Sequence, residues 1–366
     1  MHPPCFGGLS VYADRISQLH ARRGHKVEAW TTLEDDRPSF EMREGYLVRR
    51  FGASISLFDN PLTISMLPAL LRYARTNFDL IVAHSHLMFT TNFAVVKSWL
   101  SSSPLALISH GYEVHRGPFF DEVLRAYLFT SGRAIAHGSS AVVAMTRREA
   151  SRFVKLGVPA DRCVTIPPGV DSDFFRPGSG SVRGKRIVWT GRFVQEKNLE
   201  CLLHAVALLK SKVPDVELVL AGEGPQRPKL MALSTTLGLD GQVSFPGLLS
   251  QDGIADLLQT ASIYALPSTA EALPIAILEA MSSGLPLIVS KGLGLKEIVD
   301  NAAKFADHRD PQQWAQVLEA LFKDDELRNA MAARARELAV TRYDWGQVAD
   351  RLEDLFVSIV EGKGMV

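Results

Sequence analysis

Two glutamates, Glu271 and Glu279, flank a predicted turn from a strand into a helix. The apolar run 263–266 predicts a buried strand that Pro267 closes. Pro274 suits the first helical position, because its missing N–H would have no partner there. A loop carboxylate beside a helix start suits a ligand that carries both hydroxyls and phosphates. A helix-capping acid followed by a solvated glutamate is the structural alternative.

The predicted helix supplies both anion-binding amides and an apolar face. The amides of Leu273 and Ile275 lie where a helix N-terminus can bind an anion. Leu278 and Met281 can bury the helix on a sheet. At 100° per residue, Glu279 lies off that buried stripe and can accept hydroxyl protons.

Two cations follow another predicted strand, in the segment Gly191-Arg192-Phe193-Val194-Gln195-Glu196-Lys197-Asn198. Arg192 is a planar fork and Lys197 a mobile point charge, so together they can bracket a diphosphate. Gly191 ends the strand, and Asn198 can cap the next helix. Two surface cations near a turn are the alternative, and the position at a strand's carboxyl end favours function.

Two glycine motifs are less specific. Gly222-Glu223-Gly224-Pro225 is half of a dinucleotide fingerprint, without its third glycine or its distal acid, and is more typical of a tight turn. Gly7-Gly8 opens the first predicted helix, where Gly8 would let the backbone approach a phosphate. A plain tight turn explains Gly7-Gly8 equally well.

Histidines close two predicted strands of the first half, in His84-Ser85-His86 and in a segment that begins at His110. His110, followed by a glycine and then Glu113, is the better candidate for contacting a polar substrate. Each histidine can also be an ordinary loop residue. No pair has helical ligand spacing, so we predict no metal site. Asp171-Ser172-Asp173 resembles a metal–diphosphate motif but lies in a Pro/Gly-rich stretch, and we interpret it as a turn.

The composition limits the classes of partner. Lys plus Arg and Asp plus Glu number 40 each in 366 residues, so no global field favours nucleic acid. Three widely spaced cysteines match no metal or disulfide pattern, which indicates a reducing, cytoplasmic compartment. No apolar run reaches membrane-spanning length. The basic residues of the first half are interpreted as solvated faces; a weak peripheral contact of the N-terminal domain with anionic lipid at the inner face of the membrane is the alternative.

Strand and helix patterns alternate along the chain, which predicts parallel, doubly wound sheets. We expect a Rossmann-like N-terminal domain over 1–168, a linker over 169–184 and a second Rossmann-like domain over 185–344. The segment 345–366 is predicted to be a helix that packs back on the first domain. Two such domains would face each other across a cleft.

The chain opens in a loop, whereas an α/β domain normally opens with a strand that feeds such a loop. We therefore expect the first strand to be missing, with the natural start about ten residues upstream or the sequence a fragment. Acceptor recognition is expected in the loops 55–60 and 114–121 of this domain.

These motifs, taken in order, resemble those of the family-4 glycosyltransferases, retaining enzymes of the GT-B fold. The most specific match is the Glu-x7-Glu element from Glu271 to Glu279, with Pro274 in place. The Arg192–Lys197 segment, the two glycine motifs and the linker entry 166–171 agree with it. The resemblance covers essentially the whole chain except the first strand.

The resemblance implies a role for each matching residue. Arg192 and Lys197 would neutralise the donor diphosphate, Glu271 would contact the donor sugar and Glu279 the ribose. His110 would lie near the donor sugar and the acceptor. The amide of Gly8 would face the diphosphate in place of a metal. Neither a cofactor nor a metal is then required, and the donor is a UDP- or GDP-linked sugar.

Some positions depart from the family pattern. Ala272 stands where glycine is usual, so a positive φ there would be strained, and Leu293 replaces the first glycine of a pair. Lys296 replaces a proline and Pro168 an asparagine. The leading hypothesis is hexosyl transfer to a hydroxyl acceptor, either a glycan, a lipid-linked molecule or a small molecule, in cell-envelope or polysaccharide synthesis. A nucleotide-sugar-binding protein with impaired catalysis is the alternative, and a nicotinamide oxidoreductase is the third hypothesis.

Overall fold

The computed structural model describes residues 8–33, 38–52, 55–57, 60–73, 76–111, 118–178 and 184–362. The chain divides into two compact units, one formed by Met1–Pro168 with Gly346–Val366 and the other by Gly169–Trp345. Both alternate helices with mostly parallel strands, as predicted. Among the described helices, none combines the length and the apolar character that a membrane crossing needs.

The elements of the first unit are, in chain order, α1 Gly8–Arg22, β1 Glu28–Leu33, β2 Phe40–Arg43, β3 Tyr46–Gly52, β4 Ile55–Leu57, β5 Asn60–Leu62, α2 Met66–Arg72, β6 Ile81–His84, α3 Phe89–Ser101, β7 Leu105–Ile108, α4 Pro118–Tyr127, α5 Arg133–Gly138, β8 Ala141–Ala144, α6 Arg147–Lys155 and β9 Cys163–Thr165. A π-helical turn, Leu128–Gly132, joins α4 to α5. Helical structure therefore continues from Pro118 to Gly138.

The elements of the second unit are β10 Arg186–Thr190, α7 Leu199–Leu209, β11 Glu217–Ala221, α8 Arg227–Thr236, β12 Val243–Gly247, α9 Gln251–Thr260, β13 Ile263–Leu266, α10 Ile275–Ser282, β14 Leu287–Ser290, α11 Lys296–Val299, β15 Ala303–Ala306, α12 Pro311–Lys323 and α13 Asp325–Arg342, and α14, Trp345–Val360, follows them. Helix α14 begins at the last residue of this unit and otherwise belongs to the first unit.

The strands of the first unit differ from the single parallel sheet that was predicted. Its described residues form a four-stranded parallel sheet, β6-β7-β8-β9, and a separate three-stranded sheet, β1-β3-β2. In the smaller sheet β2 runs antiparallel to β3. The predicted loop 55–60 is also corrected, because β4 and β5 pair there as an antiparallel hairpin.

Helix α14 packs against α1 within the first unit. Arg23 donates to Asp350 at 2.5 Å and also pairs with Glu353. The rings of His20 and Phe356 lie 5.4 Å apart. The contacts join the last helix to the first helix of the same unit.

The second unit holds one six-stranded sheet in the order β12-β11-β10-β13-β14-β15, with all neighbouring strands parallel. The strand order reverses between β10 and β13, and α/β sheets bind ligands beyond the carboxyl ends of the strands at such a point. Trp189 and Trp314, which are 1% and 0% exposed, anchor the core around α7 and α12. A dry, close-packed core of this kind holds the strand ends in fixed positions.

The first part of the predicted linker is ordered within the second unit. Val170 and Asp344 form a parallel bridge, and Val170 N donates to Tyr343 O at 2.7 Å. Phe174 N donates to Asp171 Oδ1 at 3.1 Å. The Asp171–Asp173 motif is therefore turn chemistry, as predicted.

Candidate functional site

The loops that follow β10 and β13 meet beside the reversal of strand order, because these two parallel strands are neighbours in the sheet. Thr269 N donates to Glu196 O at 2.8 Å, which joins the loop after β13 to the short 3₁₀ turn Gln195–Lys197 after β10. Residues 73 positions apart in the sequence are thereby held in one site.

Lys197 and Glu271 form an ion pair at the centre of this contact. Lys197 Nζ lies 2.5 Å from Glu271 Oε1, and the two side chains are 21% and 9% exposed. Ser268 Oγ donates to the same carboxylate oxygen at 2.8 Å. The pair fixes a cation and an acid at the end of the sheet, and Ser268 is a member of the site that the sequence did not single out.

Arg192 lies in the same loop as Lys197 but is exposed. Within the described residues it forms no ion pair, so its guanidinium keeps five donors available to a phosphate group. Gly191 precedes it with φ +151°, a conformation that L side chains rarely adopt. The glycine therefore allows the chain to turn sharply as it leaves β10.

Asn198 corrects one prediction. It occupies the position before α7, yet its side chain caps no helix amide. Its Nδ2 donates instead to Pro267 O at 3.1 Å and to His308 O at 2.7 Å. Asn198 thus ties the loop after β10 to the loops after β13 and β15.

The Gly222-Glu223-Gly224 segment packs against the loop that carries Arg192. A Cβ at Gly222 would lie 1.8 Å from Gly191 O, and one at Gly224 would lie 2.5 Å from Phe193 O. Phe193 N donates to Glu223 O at 2.8 Å. The glycines are therefore needed for the close approach of two backbones, which the sequence analysis did not predict, and they hold the cation-bearing loop in place.

Glu279 lies outside the fully buried face of α10, as expected from its helical angle. Ile277 and Leu278 are buried, whereas Glu279 is only partly buried. Burial raises the pKa of Glu279 to about 7. Within the described chain no cation or hydrogen-bond donor contacts this carboxylate. It can therefore accept hydrogen bonds from the hydroxyl groups of a ligand.

The start of α10 differs slightly from the predicted one. Pro274 precedes the helix with φ −72° and ψ 130°, so Ile275 is the first helical residue. Leu273 is 8% exposed and anchors the loop. Ala272 does not have a positive φ, so its backbone is not strained in the way that a positive φ would cause.

Leu293 is also unstrained. The positive φ values of its loop fall on Gly292 and Gly294, at +88° and +75°. Leu293 itself is 4% exposed and packs inward. The two departures from glycine are therefore compatible with the backbone of the site.

In the first unit, His110 follows β7 and pairs with His84 at the end of β6. His84 Nδ1 lies 3.1 Å from His110 Nε2, so one ring donates while the other accepts. Burial, together with the charges of His84 and His86, holds the pKa of His110 well below its usual range. His110 is therefore a neutral ring at neutral pH. The predicted neighbour Glu113 lies outside the described residues.

The first helix borders this histidine pair. Gly8 opens α1, and Tyr12, one turn further on, packs its ring edge-on against His110 at 5.0 Å and against His84 at 5.9 Å. Tyr12 is 1% exposed. The start of α1 is thus held beside the carboxyl ends of β6 and β7, whereas Gly7 lies outside the described residues.

No group of three or more His, Cys, Asp or Glu side chains that could hold a metal ion occurs among the residues the structure describes. That the reaction needs no metal stays a prediction, because the absence of such a cluster does not test it. The free cysteines within the described ranges are Cys163 and Cys201.

Two family models match the chain. The model described as Glycosyltransferase Family 4 matches residues 6–174, and the one described as Glycosyl transferases group 1 matches residues 171–338. The first model falls on the unit that holds His110 and the second on the unit that holds Lys197 and Glu271.

Curated relatives match over nearly the full length. A D-inositol 3-phosphate glycosyltransferase of Xylanimonas cellulosilytica is 29% identical, over 96% of this chain and 91% of the relative. A GDP-mannose-dependent alpha-(1-6)-phosphatidylinositol monomannoside mannosyltransferase of Mycobacterium tuberculosis is 26% identical, over 96% of this chain and 95% of the relative. Both relatives carry the name of a glycosyl-transferring enzyme.

A solved structure shares the fold. Anabaena Alr3699/HepE, determined in complex with UDP-glucose, matches with a TM-score of 0.77 and 18% identity, over 98% of each chain. At this identity the likeness shows the fold alone. The predicted GT-B fold, with two Rossmann-like domains, is confirmed.

Proposed function

We propose that this chain, which belongs to the family-4 glycosyltransferases, moves a hexosyl group from a nucleotide-diphosphate sugar to a hydroxyl acceptor with retention of configuration. The observation that carries the proposal is the Lys197–Glu271 ion pair, 2.5 Å long, at the reversal of strand order in the second unit. A cation for a phosphate and an acid for hydroxyls are fixed there side by side.

The donor is proposed to bind across the loops that follow β10 and β13. Arg192, exposed and unpaired among the described residues, would bind the diphosphate together with Lys197. Glu271 would accept hydrogen bonds from hydroxyl groups of the sugar, and Glu279 would accept them from hydroxyl groups of the ribose. Leu273, Pro274 and Ile275 shape the helix start whose amides face the phosphates.

The proposed reaction exchanges one bond to the anomeric carbon for another. The bond from that carbon to the diphosphate oxygen breaks, and the acceptor oxygen bonds to the same carbon. The acceptor proton goes to the departing phosphate oxygen, so no separate base is required. One further negative charge develops on the diphosphate as the bond breaks and before the proton arrives, and the fixed cations of Arg192 and Lys197 stabilise it most in the transition state.

His110 is proposed to contact the donor sugar or the acceptor. Its lowered pKa keeps the ring neutral. At neutral pH one ring nitrogen can therefore accept a hydrogen bond from a hydroxyl group, and the other can donate one through its N–H. Gly8, at the start of α1, would offer its backbone amide to the diphosphate. In this proposal amides and side-chain cations do the work that a metal does elsewhere, and no cofactor takes part.

The names of the relatives define the first assay. UDP-glucose, the ligand of the Anabaena structure, and GDP-mannose are offered with inositol 3-phosphate, phosphatidylinositol monomannoside and simple glycosides as acceptors, with and without EDTA. The proposal expects one donor to be consumed with formation of a product of the same anomeric configuration, at a rate that EDTA does not change. An inverted product, or a rate that collapses with EDTA, would contradict the proposed mechanism.

A nucleotide-sugar-binding protein without transfer is the second candidate. It is favoured by one observation, that the described strands of the first unit form three separate sheets and not the single parallel sheet that was predicted. Calorimetry with UDP and GDP, run beside the donor screen, separates the candidates. Binding with neither transfer nor donor hydrolysis would support the second candidate.

A weak peripheral membrane contact at the cytoplasmic side is proposed for the first unit. Leu71 on α2 and Trp99 on α3 are each 72% exposed, and the two helices are in contact. Ile64, Leu67 and Leu100 extend this apolar surface. The double substitution Leu71→Ser, Trp99→Ser should reduce co-sedimentation with vesicles of anionic lipid. Leu208→Ser, at an exposed apolar residue of the second unit, is the control that should not.

A further inference from the structure

Glu149, on the first turn of α6, is a buried acid that the proposed reaction does not use. It is 5% exposed. Its Oε1 accepts from Ser109 Oγ at 2.6 Å and from Gly111 N at 2.9 Å, and its Oε2 accepts from Met145 N at 2.8 Å. The carboxylate is thus held by three neutral donors that come from the ends of two neighbouring strands, β7 and β8.

The residue between the two donors to Oε1 is His110. Ser109 and Gly111 flank it, and both are bound to the same oxygen atom, so the backbone on either side of His110 is fixed to one point. Gly111 has φ +84°, and the chain turns there immediately after the histidine. Because Ser109 is 0% exposed, no water can replace the carboxylate as its partner without a change in packing.

Helix capping alone does not account for this arrangement. Thr146 caps α6, since its Oγ1 accepts from Glu149 N at 3.2 Å. In a capping box the glutamate side chain would return to the amide of the capping residue. The Glu149 carboxylate reaches instead the amide of Met145, outside the helix, and the loop of the adjacent strand.

We propose that Glu149 is the positioning residue for His110, and that it acts by clamping Ser109 and Gly111 so that the imidazole stays against His84. The inference rests on the proposed role of His110 in transfer. Glu149 would influence transfer through His110, without contact to either the donor or the acceptor. Loss of the clamp would release the loop after β7, and a displacement of about 1 Å at a reacting group can cost on the order of 10²-fold in rate.

The test compares Glu149→Ala and Glu149→Gln with Thr146→Ala as the matched control. Thr146→Ala removes a hydrogen bond from the same helix start but leaves the three bonds of the carboxylate in place. Amide hydrogen exchange at Gly111, the NMR titration of the His110 ring, UDP affinity and kcat are measured for each variant. Glu149→Gln keeps the shape but presents an N–H₂ group to one of the three donors.

Faster exchange at Gly111 and a His110 pKa that rises toward its ordinary value are expected for both Glu149 variants. We expect kcat to fall about 10²-fold for Glu149→Ala and about 10-fold for Glu149→Gln, with UDP affinity within about twofold of wild type. Thr146→Ala should lower the thermal midpoint with kcat unchanged. Should Glu149→Ala fail to fold, Glu149→Gln and Ser109→Ala carry the same readouts.

Unchanged exchange at Gly111 and an unchanged His110 titration in Glu149→Gln would overturn the inference, as would an equal loss of kcat in Thr146→Ala. Failure of the proposed function has a different signature. If His110→Ala keeps full transfer while the Glu149 variants release Gly111, the clamp is supported and the proposed role of His110 is contradicted.

Discussion

Lys197 Nζ and Glu271 Oε1 lie 2.5 Å apart, although the residues belong to loops that follow different strands. The contact exists because β10 and β13 are adjacent parallel strands, so both loops leave the sheet at the same edge. The side chain of Glu271 is only 9% exposed, so loss of this partner should cost more free energy than at a surface acid.

Loss of Lys197 should destabilise the protein more than loss of both partners. Among the described residues, Lys197→Ala leaves the Glu271 carboxylate with Ser268 as its donor, and an uncompensated buried charge costs on the order of 3 kcal/mol. The double variant with Glu271→Ala removes that charge and should recover part of the loss. Urea unfolding of the single and double variants measures the coupling.

The exposed pair Lys229–Glu200, 2.7 Å long, provides the control for this cycle. Its side chains are 66% and 43% exposed, so the same cycle should give a coupling of about 0–1 kcal/mol. An equal coupling in the two cycles would show that the Lys197–Glu271 pair is no more than a surface contact.

Glu279 should make stability depend on pH. Its folded pKa of about 7 lies above the ordinary value of 4.5, so the folded state binds the proton more tightly than the unfolded state does. The resulting stabilisation is fully present below pH 4.5 and is lost as the pH rises through about 7. Glu279→Gln should flatten this part of the stability curve, by about 1–3 kcal/mol across the window. Thermal unfolding at pH 5 and pH 8 makes the comparison, and an equal slope in both proteins would contradict the raised pKa.

Nucleotide binding should show the opposite trend with pH. The ionised Glu279 carboxylate can accept hydrogen bonds from two hydroxyl groups, whereas the protonated form loses part of its capacity to accept hydrogen bonds. UDP affinity is therefore expected to rise several-fold between pH 6 and pH 8 in wild type. Calorimetry on Glu279→Gln should find a weaker affinity that no longer varies in this range. A wild-type affinity that is constant with pH would argue against contact between Glu279 and the ribose.

Gly222 should tolerate no side chain. A Cβ there would lie 1.8 Å from Gly191 O, and φ is +142°. We expect Gly222→Ala to lower the free energy of unfolding by about 3 kcal/mol or more, since both the backbone conformation and the contact are disallowed. Gly241→Ala, at a glycine with nothing within 4 Å of its added Cβ, should change it by less than about 0.5 kcal/mol. Equal stability of the two variants would contradict the packing of the glycine loop on the Arg192 loop.

Regular elements of the second unit could be predicted almost residue by residue. The strand over 263–266 was expected and occurs at that position, because an apolar run bounded by turn residues indicates a buried parallel strand. Helix α14 also begins at Trp345, as predicted, and ends at Val360. The first unit was harder, since β2 and the hairpin β4–β5 are short and carry little periodicity.

Contacts of the site depend on tertiary structure and were only partly predictable. The candidate residues were found because they follow strands, but the direct bond between Lys197 and Glu271 needs the strand order, which one sequence does not state. Asn198 has the composition of a cap, yet two carbonyl groups of other loops take its amide. Glu149 had a recognisable signal, the Thr146-x-x-Glu149 spacing of a helix start, but nothing local shows that its carboxylate reaches Gly111.

The most direct test of the central claim is the transfer rate, at saturating donor, of Lys197→Ala and Glu271→Ala beside Lys229→Ala and Glu200→Ala. All four variants remove one partner of an ion pair in the second unit. We predict that kcat falls on the order of 10²-fold or more for the first two, because they lose stabilisation of the charge that develops during transfer, and stays within about twofold for the controls. Near-normal turnover of folded Lys197→Ala and Glu271→Ala would contradict the assignment of this pair to the donor site.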